Sequence, residues 1–111
     1  MMLSHGPDVI ARYFQLDAEL DVDGVTALFT DDAVVADERE THHGKETIRA
    51  WRAGPASRYT YTTEILGTES AGTDRHIVTA RLNGNFPGGT VVLKHDFTLA
   101  GKHIARLVIA P

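Results

Sequence analysis

The feature that most constrains this chain is a change of hydrophobic period near its middle. Before Gly54 apolar residues recur at helical intervals, and from Arg58 onward they alternate. In the N-terminal part Ile10, Tyr13, Phe14, Asp17 and Leu20 lie three and four residues apart, which predicts one helix face, with Asp8 enriching the first turn after Pro7. An acidic turn over 21–24 leads to a second short helix, Val25 to Phe29, closed by Thr30-Asp31-Asp32, and then to a short strand from Ala33 to Asp37. A polar loop is expected from Glu38 to Gly44. The stretch from Lys45 to Arg52 has helical composition, and Gly54-Pro55 stops it.

Beyond Arg58, Tyr59, Tyr61, Thr63 and Ile65 alternate with Thr60, Thr62 and Glu64, the period of a strand. Breaks at Ala71-Gly72-Thr73-Asp74, Phe86-Pro87-Gly88-Gly89 and Ala100-Gly101-Lys102 mark three further strands, spaced as a meander of hairpins. Helices first and strands afterwards, without alternating βαβ units, predict a segregated α+β fold and not a doubly wound parallel sheet. At 111 residues, a single domain covering residues 1–111 is expected.

Composition narrows the partners. Hydrophobic residues make up 42% and charged residues 23%, the balance of a folded globule. A formal charge of −4 offers no basic field for nucleic acid or an anionic membrane, so neither is expected as a partner. The absence of cysteine removes thiolate nucleophiles and cysteine-based zinc sites. His42-His43 beside Asp37 lacks the spacing of a metal site, because adjacent side chains point apart, and no metal or cofactor is expected. The first residues lack an apolar signal core and no run is long enough to span a bilayer, so a cytoplasmic location is the expectation.

Residues Val9 to Tyr13 together with Asp23 to Asp37, which include Ala27-Leu28-Phe29-Thr30-Asp31-Asp32-Ala33, resemble the nuclear transport factor 2-like superfamily over nearly the whole chain. The similarity is sharpest to bacterial ketosteroid isomerases and extends to SnoaL-like polyketide cyclases, which share the start of the helix after Gly44 and the Gly101-Lys102 hairpin. The resemblance implies a cone: a strongly curved, mostly antiparallel sheet wrapped by three N-terminal helices around a deep apolar cavity. It also implies a small hydrophobic, polyketide- or steroid-like ligand. The block itself specifies fold and not chemistry.

On that resemblance Asp37 matches the isomerases' catalytic base, a carboxylate that burial would tune toward neutral pH. The alternative is a loop residue pairing with Arg39. Tyr13 matches the tyrosine that donates to a developing enolate oxygen. In the strand Thr90 to Leu99, His95 shares a face with Val91, Leu93, Phe97 and Leu99, whereas Asp96 is out of phase. His95 falls where the isomerases keep a protonated acid, a departure that leaves the reaction open. Each of the two also reads as a core residue satisfied by neighbours. Asp17, one turn below Tyr13, needs a partner if buried; His95 and Arg106 are candidates. Phe29, Trp51, Tyr59 and Phe97 complete the expected ligand pocket with Asp17 and Arg106.

Three functions follow as expectations. The first is a proton-transfer enzyme of isomerase, cyclase or lyase type with Asp37 as base and Tyr13 and His95 as polar partners. The second is a non-catalytic ligand-binding or dimerisation module. Epoxide opening by an Asp17, Arg106 and Asp37 cluster is a third. In each case a second copy is expected to cover one sheet face, giving a homodimer.

Overall fold

The structure, a computed structural model, describes residues 8–37, 39–54 and 60–111. The element order is α1 (Asp8–Ala18), α2 (Val22–Ala27), β1 (Phe29–Asp37), β2 (Glu40–His43), α3 (Lys45–Ala53), β3 (Tyr61–Ser70), β4 (Arg75–Gly84), β5 (Thr90–Ala100) and β6 (His103–Ala110). The fold is α+β, as the change of period requires.

Helix α1 buries Val9, Ile10, Tyr13 and Asp17, the face expected from their spacing. Leu20 does not continue it. It is 57% exposed and adopts φ 58°, ending the helix in a left-handed turn in which the Leu20 amide bonds Asp17 O and the Asp21 amide bonds Leu16 O. Asp21 then caps α2 by accepting from the Gly24 amide at 2.8 Å. Phe29 begins β1 and does not close the second helix: it is fully buried and lies opposite Ile104.

The six strands run in the order β2-β1-β6-β5-β4-β3. Consecutive strands β3 to β6 pair antiparallel, while β1 pairs parallel with β6 and antiparallel with β2. The parallel contact ties the N-terminal half of the chain to its last strand. Strand β2 occupies part of the segment expected to be a polar loop, because Glu40 to His43 supply the edge pairing that β1 lacks on that side.

The three helices pack against one sheet face. There Val25, Phe29 and Val35 meet Ile48 and Trp51 from α3 and Phe97, Ile104 and Leu107 from the sheet, all buried. Among the described residues no helix covers the other sheet face, which carries Val92, 43% exposed, with Arg75, Arg81 and Arg106.

Candidate functional site

Where α1 and α3 stand off the inner sheet face they leave a cavity of about 560 Å³. Alternation supplies its apolar walls: Leu82 from β4, Val91 and Leu93 from β5, and Ile109 from β6 all point inward. Phe14 and Phe86 add aromatic surface.

Five of the residues singled out in the sequence line this cavity: Tyr13, Asp17, Asp37, Trp51 and His95. Asp37 stands at the end of β1, half-buried, and accepts a hydrogen bond from the Trp51 indole Nε1 at 3.1 Å. Tyr13 is 3% exposed and makes edge contacts to Phe14, Phe29 and Phe97 at ring separations of 5.2, 6.4 and 5.4 Å. Its hydroxyl forms no hydrogen bond with a described residue. Burial and then the nearby Asp17 charge hold its pKa well above the ordinary tyrosine value, so it is a donor at any physiological pH.

His95 lies 6.4 Å from Tyr13 between ring centroids, with Phe14 at 5.1 Å on its edge and Phe97 stacked at 6.3 Å. Its Nδ1 is buried and has no hydrogen-bond partner among the described residues. Desolvation lowers its pKa to about 4, so the ring is neutral and carries one N–H. Neither His95 nor Arg106 partners Asp17. That carboxylate instead meets Arg52 Nε at 2.8 Å and accepts from the Tyr61 hydroxyl at 3.0 Å, while Arg52 also donates to the Asp17 carbonyl at 2.9 Å.

Burial nevertheless raises the Asp17 pKa, the Arg52 charge and the Tyr61 hydrogen bond opposing it. The same burial, with Asp17 beside it, pushes the Tyr61 hydroxyl up. Adjacent residues of α3 thus hold the two cavity carboxylates, Trp51 on Asp37 and Arg52 on Asp17. The two contacts differ in kind: Arg52 brings a full positive charge to Asp17, and Trp51 brings a neutral donor to Asp37.

Other expected pocket residues lie elsewhere. Phe29 and Phe97 are fully buried beneath Tyr13 and belong to the core, not to the cavity wall. Arg106 lies on the far face with Arg75, Asp96 and Thr98, because it pairs with Thr98 while Leu107 and Ile109 take the inward positions. The Asp17, Arg106 and Asp37 cluster therefore does not form. Asp96 does face away, bound by Arg75. Tyr59 lies outside the described residues. Among those residues no three His, Asp or Glu side chains converge as a metal site.

Fully buried Arg52 escaped the sequence reading, since an arginine in the last turn of a charged helix ordinarily faces solvent. Tyr61, whose alternation already puts it in phase with Thr63, lines the inner face. Gly84 makes room for it, because a Cβ there would run into the Thr60 carbonyl and the Tyr61 Cβ.

The SnoaL-like domain family model matches residues 10–106. This chain belongs to the SnoaL-like domain family. Within the nuclear transport factor 2-like fold that this SnoaL-like chain adopts, a Sinorhizobium meliloti protein provisionally described as a polyketide cyclase is 36% identical, over 94% of each chain, with a TM-score of 0.87. SalBIII, an epoxide hydrolase/cyclase-like enzyme of pyran ring formation in salinomycin, is 21% identical over 93% of this chain and 87% of its own, with a TM-score of 0.78. A Mycobacterium tuberculosis protein solved with estradiol-17beta-hemisuccinate is 18% identical over 92% of this chain and 89% of its own, with a TM-score of 0.77. The last two share the fold. No curated protein matches the chain significantly.

Proposed function

We propose that this SnoaL-like chain binds a small, largely apolar carbonyl compound in its cavity and moves a proton on it, in an isomerase, cyclase or lyase type of reaction, as a homodimer. The observation that carries the reading is the convergence, in one apolar cavity, of a carboxylate with two neutral donors, Tyr13 and His95, that no described residue engages through a hydrogen bond. Asp37 removes a proton from the carbon next to the carbonyl. Negative charge then develops on the carbonyl oxygen, where the Tyr13 hydroxyl and the His95 N–H donate to it in a site of low dielectric. Asp37 returns the proton at a second carbon, or the enolate carbon attacks a second carbonyl of the same molecule, whose oxygen takes up the proton that Asp37 holds. Asp17 is occupied by Arg52 and Tyr61. The provisional cyclase assignment of the Sinorhizobium relative and the steroid ester bound by the mycobacterial one support a ligand of polycyclic or polyketide character. A cavity of about 560 Å³ has room for one.

Exchange of the α-proton of 1-tetralone for deuterium, followed by NMR in D2O, tests the reaction without knowledge of the natural product. The protein is expected to accelerate exchange, and Asp37→Asn to lower the catalysed rate by about 10²–10⁴-fold. Undiminished exchange in Asp37→Asn would remove Asp37 as the base. Binding without any exchange would favour a ligand carrier.

A further inference from the structure

The cavity changes character toward its mouth. Deep inside, every charged group has a described partner: Asp17 has Arg52 and Tyr61, and Asp37 has Trp51. Along the exposed rim, Pro87, Ala110 and Pro111 carry no side-chain charge, and among the described residues there the ionic side chain is Arg39. Its guanidinium makes no ion pair or hydrogen bond with another described residue.

The backbone under it is informative as well. Asp37 pairs with Glu40, so Arg39 sits in a two-residue hairpin connection, and it adopts φ 68°. That left-handed conformation favours glycine, asparagine or aspartate in such turns. For an arginine it is strained, and strained residues cluster at ligand sites. A cation has been placed at the mouth of an apolar cavity, on a turn that a smaller residue would form more easily.

We infer that Arg39 is the subsite for an anionic group on the ligand, a carboxylate, sulfonate or phosphate that remains at the cavity mouth while the apolar body enters. This deepens the ligand-pocket reading and rests on it. The guanidinium supplies two parallel N–H donors, the geometry that an oxyanion accepts, at a place where the ligand's charge stays hydrated on one side. The subsite therefore selects among apolar compounds by their charged tail and takes no part in proton transfer.

Two fluorescent probes separate the subsite from the cavity: 1-anilinonaphthalene-8-sulfonate and its neutral counterpart N-phenyl-1-naphthylamine, which differ by the sulfonate. Both are expected to bind the parent protein, and Val91→Trp, which fills the cavity, to displace both. Arg39→Gln should weaken the sulfonate by about 3- to 10-fold and leave the neutral probe within about two-fold, the size of a half-exposed charge-assisted contact. Arg39→Lys should restore most of the loss, and raising the salt should weaken the sulfonate in the parent but not in Arg39→Gln. Sulfonate affinity unchanged in Arg39→Gln, or an equal loss of both probes, would overturn the subsite while the cavity stands. Failure of the neutral probe to bind the parent would remove the ligand pocket and the subsite with it.

Discussion

His95 concentrates the conflict between stability and function in one side chain. Its Nδ1 is buried among aromatic rings with no partner among the described residues, an arrangement that costs folding free energy and that a core built only for packing would avoid. His95→Phe keeps the ring and removes the orphaned nitrogen. It is expected to raise stability at pH 7 by about 1–2 kcal/mol in urea titrations while lowering tetralone exchange. The pH dependence gives a second reading of the same group. Because its folded pKa of about 4 lies below the ordinary 6.5, the unfolded chain takes up the proton first as pH falls. Stability is therefore lost between about pH 6.5 and 4, by about 3 kcal/mol for a pKa that falls from 6.5 to about 4, and His95→Phe should lack that component. Equal slopes of stability against pH in the two proteins would refute the neutral buried imidazole. His95 was legible because strand alternation fixes its side, and Tyr13 and Asp17 because helical spacing fixes theirs. Arg106 was not. The β5–β6 register shifts between Thr98 and Leu99, which puts Ile104 and Leu107 both inward and reverses the parity expected for Arg106. Phe29 and Phe97 show a different limit: an inward aromatic is legible, but whether a cavity or another side chain lies over it depends on helix placement.

At the scale of elements, two features depart from the local rules. Helix α1 ends on Leu20 in the left-handed conformation, where glycine is the residue of lowest cost, and the side chain is mostly exposed. Leu20→Gly should therefore stabilise the fold by about 1 kcal/mol, measured by thermal or urea unfolding. A loss of stability would mean that Leu20 packs against something the isolated chain does not show. The other feature is the junction of α1 and α3. Arg52→Met should cost about 3–5 kcal/mol, since it leaves the Asp17 carboxylate buried without its counter-charge. Adding Asp17→Leu to that variant should recover more than half, and independent, additive costs would show that the two groups do not depend on each other. Neither partner announces the pair in the sequence, because 35 positions separate them. Strand β2 was illegible for a related reason: Glu40-Thr41-His42-His43 has little strand propensity of its own and is extended by pairing with β1.

For the whole molecule the helices settle one face of the sheet and leave the question of the other. On the outer face Ile77 lies opposite Asp96 and Arg81 opposite Val92, so apolar and charged positions are interleaved across β4 and β5. Arg75–Asp96 and Arg81–Glu64 pairs stand beside Lys94 and Arg106, both signs within one patch. A two-fold axis through such a surface brings unlike charges of two copies together while covering Val92 and Val108, which is the self-complementarity that a symmetric dimer needs. A stable interface of this kind removes about 800 Å² from each partner, an area that a patch spanning several strands can supply. Light scattering at micromolar concentration is accordingly expected to give twice the 12.1 kDa chain mass. Val92→Glu with Val108→Glu should give a folded monomer, since both residues point away from the core. Because the cavity opens on the opposite face, that monomer should still bind the neutral naphthylamine probe within about two-fold, the change expected of a site distant from the substitutions. A parent protein that scatters as a monomer would overturn the dimer, and a dimer indifferent to both substitutions would place its interface elsewhere.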